Sequence, residues 1–271
     1  MNRRGVSLKP VMNLEPTTYA IAAALVTGIR GHFGDRMIGI YAYGSAVYGD
    51  FLPGVSDLDT TAVLTEDAND ADLTALGVLH DRLTWDFPEW EGRIEVHYIA
   101  RDALMSFRER RSSMANISPG EPLHFIDMGI EWLVNWFFIG DHGVVLYGSP
   151  IDQVFPEVSI DEFVAAARDH ARDWLGRLDD LDSSQGQSYA ILTNSRALYT
   201  HRTGKQVSKE RAAKWASEQF PDWKPAIDDA LIWRQQPQFD ASSTADRARS
   251  FVRSVVSLID SETITIDNAS K

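Results

Sequence analysis

The sequence predicts an α+β protein in two parts: an N-terminal domain of mixed strands and helices, followed by a C-terminal all-α helical bundle. Three observations carry this. Up to about residue 150, strand-like runs such as 37–43 and 93–99 are interleaved with stretches of helical apolar spacing. Near Phe155-Pro156 the character changes, and from Ile160 apolar residues step by three and four with no strand-like run. A 271-residue chain with 44% hydrophobic and 24% charged residues has enough apolar content for one large core or two modest ones. The expected boundaries are 1–156 for the first domain, 157–262 for the helical domain and 263–271 for a disordered tail.

In chain order, 16–33 places Ile21, Leu25, Ile29 and Phe33 at helical spacing, with Pro16 in the first turn and Gly34 just past the end. Residues 37–43 read as a strand running into Gly44-Ser45, and 60–64 as the next one. An acidic stretch, 66–72, precedes a helix marked by Leu73, Leu76, Leu79 and Leu83. Segment 93–99 alternates, with Ile94, Val96 and Tyr98 on one face and Glu95 and His97 on the other. Either it is an edge strand with a wet polar face, or it pairs beside Asp57 and Asp59 and supplies a third carboxylate.

The run Arg108-Glu109-Arg110-Arg111 is expected on a solvated helical face, and 118–122 is a break. The aromatic-rich stretch 126–139, with Trp132, Trp136, Phe137 and Phe138, reads as core rather than as a ligand wall. Residues 142–150 read as a short strand ending in a turn. In the second half, Ser159 and Glu162 form a capping-box pair opening a helix whose apolar positions run to Leu181. Helices at about 189–200, 209–219, 225–235 and 244–259 complete a bundle of about five.

The chemistry concentrates in 44–59. Gly44-Ser45 offers backbone N–H groups and a hydroxyl to phosphate oxygens. Gly49 follows, and Ser56-Asp57-Leu58-Asp59 closes directly into a strand-like run. On a strand, Asp57 and Asp59 share a face roughly 7 Å apart. Two such carboxylates beside a phosphate cradle suit Mg²⁺ held against a nucleotide triphosphate. Taken alone, Asp-x-Asp also fits a pair of turn-capping aspartates.

The bulk charge narrows the partners. With 26 basic and 39 acidic residues the chain carries −13, which disfavours a nucleic-acid footprint and attracts cationic small molecules. Cysteine is absent, so no disulfide, thiolate nucleophile or cysteine zinc site can form. No secretory h-region follows the basic start, and the apolar runs are too short to span a bilayer. A cytoplasmic monomer is expected.

The pattern Gly-Ser, Gly, then Ser-Asp-x-Asp before a strand resembles the signature of polymerase-β type nucleotidyltransferases. A second stretch, Ala190-Ile191-Leu192-Thr193-Asn194-Ser195-Arg196-Ala197-Leu198-Tyr199 followed by Thr203-Gly204-Lys205 and Val207-Ser208-Lys209-Glu210, resembles the C-terminal helical domain of the aminoglycoside adenylyltransferases that modify streptomycin and spectinomycin. The likeness runs from about Tyr41 onward and is weakest over 101–140. It implies a Mg²⁺-dependent transfer of AMP from ATP to a hydroxyl of a small cationic acceptor bound between the domains.

The resemblance also implies roles. Asp57, Asp59 and Glu95 would bind two Mg²⁺ ions, with Glu95 also the catalytic base. Gly44, Ser45 and Ser56 would join the two aspartates at the nucleotide. Arg196 and Lys209 would reach ATP from the helical domain, with Lys205 and Ser208 flanking them. Two positions depart from the streptomycin-modifying pattern: Pro122 stands near an expected tryptophan, and Gly186 near an expected acid, with Asp182 four residues earlier. Spectinomycin or a related acceptor is therefore expected ahead of streptomycin. The alternatives are modification of a protein or tRNA, and a nucleotide-binding regulatory protein without turnover.

Overall fold

A computed structural model describes residues 14–236 and 242–262, and the tail expected at 263–271 lies outside the described residues. The chain divides into two compact units, one ending at Val158 and the other beginning at Ser159.

The first unit is built on a mixed six-stranded sheet. Helix α1 (Tyr19–Phe33) leads into β1 (Met37–Tyr43), followed by the four-residue α2 (Ser45–Tyr48), β2 (Leu58–Leu64), α3 (Asp70–Asp86) and β3 (Ile94–Ala100). Helix α4 (Arg101–Met105), β4 (Ser112–Ser118), β5 (Glu121–Met128), α5 (Leu133–His142) and β6 (Val144–Gly148) complete it. The strand order is β5-β4-β3-β2-β1-β6. Among the described residues only β2 and β3 run parallel; the other pairings are antiparallel. A parallel pair needs a crossover, and α3 supplies it.

Period-two alternation decides what each face of the sheet carries. Ile40 and Ala42 of β1, Leu58, Ala62 and Leu64 of β2, and Val96 and Tyr98 of β3 bury one face in the core shared with Ile21, Leu25 and Ile29 of α1 and Leu76 and Leu83 of α3. Tyr41, Tyr43, Asp59, Glu95 and His97 therefore fall on the opposite face. There Trp136 of α5 is fully buried, and Phe155 meets the Tyr41 ring edge-on at 4.9 Å. β3 lies inside the sheet between β2 and β4, which rules out the edge-strand reading of 93–99.

Sequence expectation and structure part between 101 and 128. Helix α4 ends at Met105 and Arg108 and Glu109 lie in a turn rather than on a charged helical face, while 112–128 form a β-hairpin whose turn at 119–120 falls inside the expected break. Strand β4 is largely polar and β5 is a half-buried edge strand, so pairing of β4 with β3 and of β5 with β4 stabilises the hairpin more than its own pattern does.

The second unit comprises α6 (Ile160–Asp173), α7 (Ser184–Thr203), α8 (Lys209–Gln219), α9 (Lys224–Gln235) and α10 (Ala245–Ser261). The Ser159–Glu162 capping box forms in both directions: Glu162 N donates to Ser159 Oγ at 3.3 Å, and Ser159 N donates to Glu162 Oε2 at 2.9 Å. Helix α6 stops eight residues before Leu181, continuing as a 3-10 segment in which Arg177 leaves helical geometry beside Gly176. Helix α7 is the central one, packed by α6, α8, α9 and α10. Its buried polar side chains are largely satisfied by carbonyls, with Asn194 donating to Ala190 O and Ser188 to Ala230 O. Among the described residues no helix is long and apolar enough to cross a membrane.

Candidate active site

The turn after β1 is shaped by the residue it lacks a side chain at. Gly44 has φ 71°, and a Cβ added there would lie 1.9 Å from Oδ2 of Asp59. Only glycine lets the carboxylate rest against the chain. Helix α2 begins at once, with Val47 N and Tyr48 N both donating to Gly44 O at 3.1 Å. Ser45 Oγ is buried and has no hydrogen-bond partner among the described residues. A buried hydroxyl in that state costs about 1–3 kcal/mol until an acceptor or donor arrives.

The loop that returns to β2 is held from within. Ser56 is buried; its Oγ accepts from Leu52 N at 3.0 Å, and its own N–H donates to Leu52 O at 2.8 Å. Arg93 donates to Ser56 O at 2.7 Å and lies over the Trp90 ring at 4.6 Å. Ser56 thus holds the loop. Asp57 sits at the end of this loop, one residue before β2 rather than in it.

Register then brings the acids together. Asp59 is the direct partner of Glu95 in the parallel β2–β3 ladder. One oxygen from each of Asp57, Asp59 and Glu95 lies within 4.8 Å of the others, and all three residues are half-buried. Three carboxylates at that range repel one another, and a hard divalent cation with oxygen preference relieves the repulsion. Together with the orphaned Ser45 hydroxyl, the donor set fits Mg²⁺ beside a phosphate.

Behind Glu95 lies a buried polar network. His97 is 1% exposed and burial pushes its imidazole down to about 3, so the ring is neutral. Nδ1 donates to Asn116 Oδ1 at 2.9 Å, and Nε2 faces the Tyr43 hydroxyl at 2.9 Å. Nε2 also lies 3.1 Å from Glu95 Oε1. The Tyr43 hydroxyl is 3.4 Å from Glu95 Oε1 and accepts from Asn135 Nδ2 at 3.3 Å. Burial, followed by the charges of Glu95 and Asp59, pushes the Tyr43 phenol well up. The Trp132 ring closes the edge of His97 at 4.6 Å. Sequence patterning does not pick out Tyr43, Asn116 or Arg93. The alternation of β1 was the available signal for Tyr43, whereas Asn116 lies on a strand the pattern does not reveal.

In the second unit, Arg196 is on α7 and Lys209 is the first residue of α8 after its N-cap Ser208, whose Oγ accepts from Arg211 N at 3.2 Å. Both stand in the electrostatic surroundings of His170, with Asp173 and Arg177. The Lys209 ammonium lies 3.9 Å over the Tyr189 ring, a cation–π contact that fixes a flexible side chain. Lys205 is exposed in the α7–α8 connection, its carbonyl accepting from Thr200 Oγ1 at 3.2 Å.

The family model for the C-terminal domain of aminoglycoside adenylyltransferase matches residues 153–258. An aminoglycoside (3'')(9) adenylyltransferase from Escherichia coli is 26% identical over 245 residues, covering 84% of this chain and 89% of that protein. One from Rhizobium radiobacter is likewise 26% identical over 245 residues, covering 84% of this chain and 87% of its own length. The crystal structure of a spectinomycin adenyltransferase from Enterococcus faecialis, with ATP and spectinomycin, superposes with a TM-score of 0.72 at 17% identity, over 89% of this chain and 99% of that one. The fold is shared.

Proposed function

We propose that this chain, a member of the aminoglycoside adenylyltransferase family, transfers AMP from ATP to a hydroxyl of an aminoglycoside-type antibiotic and releases pyrophosphate. The observation that carries this reading is the meeting of Asp57, Asp59 and Glu95 beside the Gly44-Ser45 turn. These carboxylates would hold Mg²⁺, two ions being usual for in-line displacement at such sites. When bound, Mg²⁺ neutralises charge that develops on the phosphate oxygens.

The chain's own groups supply the rest. Glu95 accepts the proton of the acceptor hydroxyl as that oxygen bonds to the α-phosphorus. The bond from the α-phosphorus to the bridging oxygen breaks, and the electron pair leaves on pyrophosphate. Ser45 Oγ finds its missing partner in a phosphate oxygen. Arg196 meets phosphate oxygens as a two-pronged donor, Lys209 as a point charge held by Tyr189, and Lys205 adds positive charge nearby.

Spectinomycin or a related compound is the acceptor in this reading. The relatives are named for aminoglycoside adenylylation, the Enterococcus protein is seen with spectinomycin, and a charge of −13 attracts a cationic acceptor. Pro122 and Gly186 lack the side chains expected for streptomycin. The chain acts as a cytoplasmic monomer in the same proposal. Incubation with ATP, Mg²⁺ and an antibiotic panel, read by mass spectrometry, tests it: spectinomycin should gain the mass of one AMP. Intact antibiotics across the panel, with ATP unconsumed, would remove the assignment.

A further inference from the structure

We propose that Arg93 is a positioning residue for Asp57: by clamping the residues on either side of it, Arg93 sets where this carboxylate stands beside Asp59 and Glu95. The inference rests on the reading of these three acids as Mg²⁺ ligands, and lies wholly within the first unit.

The three carboxylates are not held in the same way. Asp59 pairs with Tyr43 of β1 on one side and with Glu95 of β3 on the other, and Glu95 is fixed through the same ladder. Strand register sets the face and position of both side chains. Asp57 lies outside the ladder, because β2 starts at Leu58. It ends a loop in which Gly49 and Gly54 both have positive φ, so the local sequence does little to stiffen it.

Arg93 supplies the restraint. Its Nη1 donates to Ser56 O at 2.7 Å, and its own carbonyl accepts from Leu58 N at 2.9 Å. One residue thus holds both chain neighbours of Asp57. The far side of the guanidinium is anchored as well: Nε donates to Glu89 O at 3.2 Å, and Nη2 makes a closer contact to the same carbonyl. Glu89 belongs to the turn 88–90, whose Trp90 is 4% exposed, packs in the core and lies under the guanidinium at 4.6 Å. An arginine side chain only donates and keeps its charge, so the direction of each of these bonds is fixed. Its rigid plane spans the two carbonyls, which a lysine ammonium on a flexible stem does not.

Charge and position act with opposite signs. A cation one residue from a metal ligand repels a second cation, so through charge alone the loss of Arg93 would tighten metal binding. Through position, the same loss frees Asp57 and weakens it. Groups that orient a metal ligand typically change metal affinity by about 10–100-fold when altered.

Mn²⁺ alone, titrated into the full-length protein and followed by electron paramagnetic resonance, gives a readout independent of any acceptor. Arg93→Met keeps a long apolar side chain over Trp90 and removes the donors; it should weaken Mn²⁺ binding about 10-fold. Arg93→Lys keeps the charge without the fork and should weaken binding by about threefold or more. In an Asp57→Asn background, Arg93→Met should cost less than about a further twofold, because the carboxylate it places is gone. Unchanged or tighter binding in Arg93→Met, or wild-type binding in Arg93→Lys, would overturn the proposal. So would a full second loss in the double variant, which is what general structural damage predicts. Circular dichroism reports whether each variant folds; if Arg93→Met does not, Arg93→Lys carries both comparisons. Asp57→Asn alone is the reference. Were its Mn²⁺ affinity that of wild type, the ligand reading of Asp57 would fail; weakened binding there beside unchanged binding in Arg93→Met would remove the role of Arg93 only.

Discussion

A methyl group at residue 44 would lie 1.9 Å from Oδ2 of Asp59, and the backbone there has φ 71° and ψ −153°, a region essentially restricted to glycine. Gly44→Ala therefore strains the turn by about 1–3 kcal/mol and pushes Asp59 out of register with Glu95. We expect a lower Tm and at least about a 10-fold loss of Mn²⁺ affinity. Unaltered affinity would mean that the Gly44–Asp59 contact does not shape the site. Gly44, Ser45, Asp57 and Asp59 were legible in the sequence because their chemistry depends on spacing within one loop. Glu95 was legible as a misfit, a carboxylate in the middle of an apolar strand. Tyr43 and Asn116 were not, because their partners lie 54 and 19 residues away and a tyrosine or asparagine is unremarkable on its own strand.

Among the elements, α3 has a built-in acid sensitivity. Asn69 and Asp72 form its capping box, and Asp72 also receives hydrogen bonds from Arg36, at 3.0 Å and through a second, closer contact, and from His32 at 2.8 Å. The Arg36 hydrogen bonds hold the Asp72 carboxyl down to about 2, against an ordinary value near 3.8. A depressed carboxylate contributes stability above its unfolded value and loses it as pH falls through its folded value. The contribution, about 2 kcal/mol, is thus present at pH 7 and lost between about pH 4 and 2. Urea melts of Asp72→Asn should show reduced stability at pH 7 and a shallower acid limb. An acid limb as steep as wild type would show that other carboxylates dominate. The same element shows how patterning falls short: leucine spacing found α3 but not its start, because Asp72 reads as a loop acid until Asn69 is seen to cap it. The hairpin β4–β5 went unread for a related reason, since the mostly polar β4 gains its stability from pairing with β3 on one side and β5 on the other.

For the molecule as a whole, each unit closes a hydrophobic core of its own: sheet against α1 and α3 in the first, and Ile191, Leu198, Ile227, Phe251 and Val255 among the residues of the second. A core of that kind is the condition for independent folding. A fragment of residues 159–271 should give a helical far-ultraviolet spectrum and a cooperative thermal transition. A fragment without a transition would show that the helical unit relies on the first. The change at 155–160 was legible because strand periodicity stops there. The acceptor was less legible, since catalytic spacing is local whereas acceptor contacts are scattered along the chain.

We propose that Asp57, Asp59 and Glu95 form an adenylyl-transfer centre in which Glu95 takes the acceptor proton. Pyrophosphate release by wild type and Glu95→Gln, at saturating Mg²⁺-ATP and spectinomycin, tests it most directly. Wild type should release pyrophosphate steadily and Glu95→Gln at least about 100-fold more slowly, within the range expected for removal of a general base. Release by Glu95→Gln at the wild-type rate would contradict it.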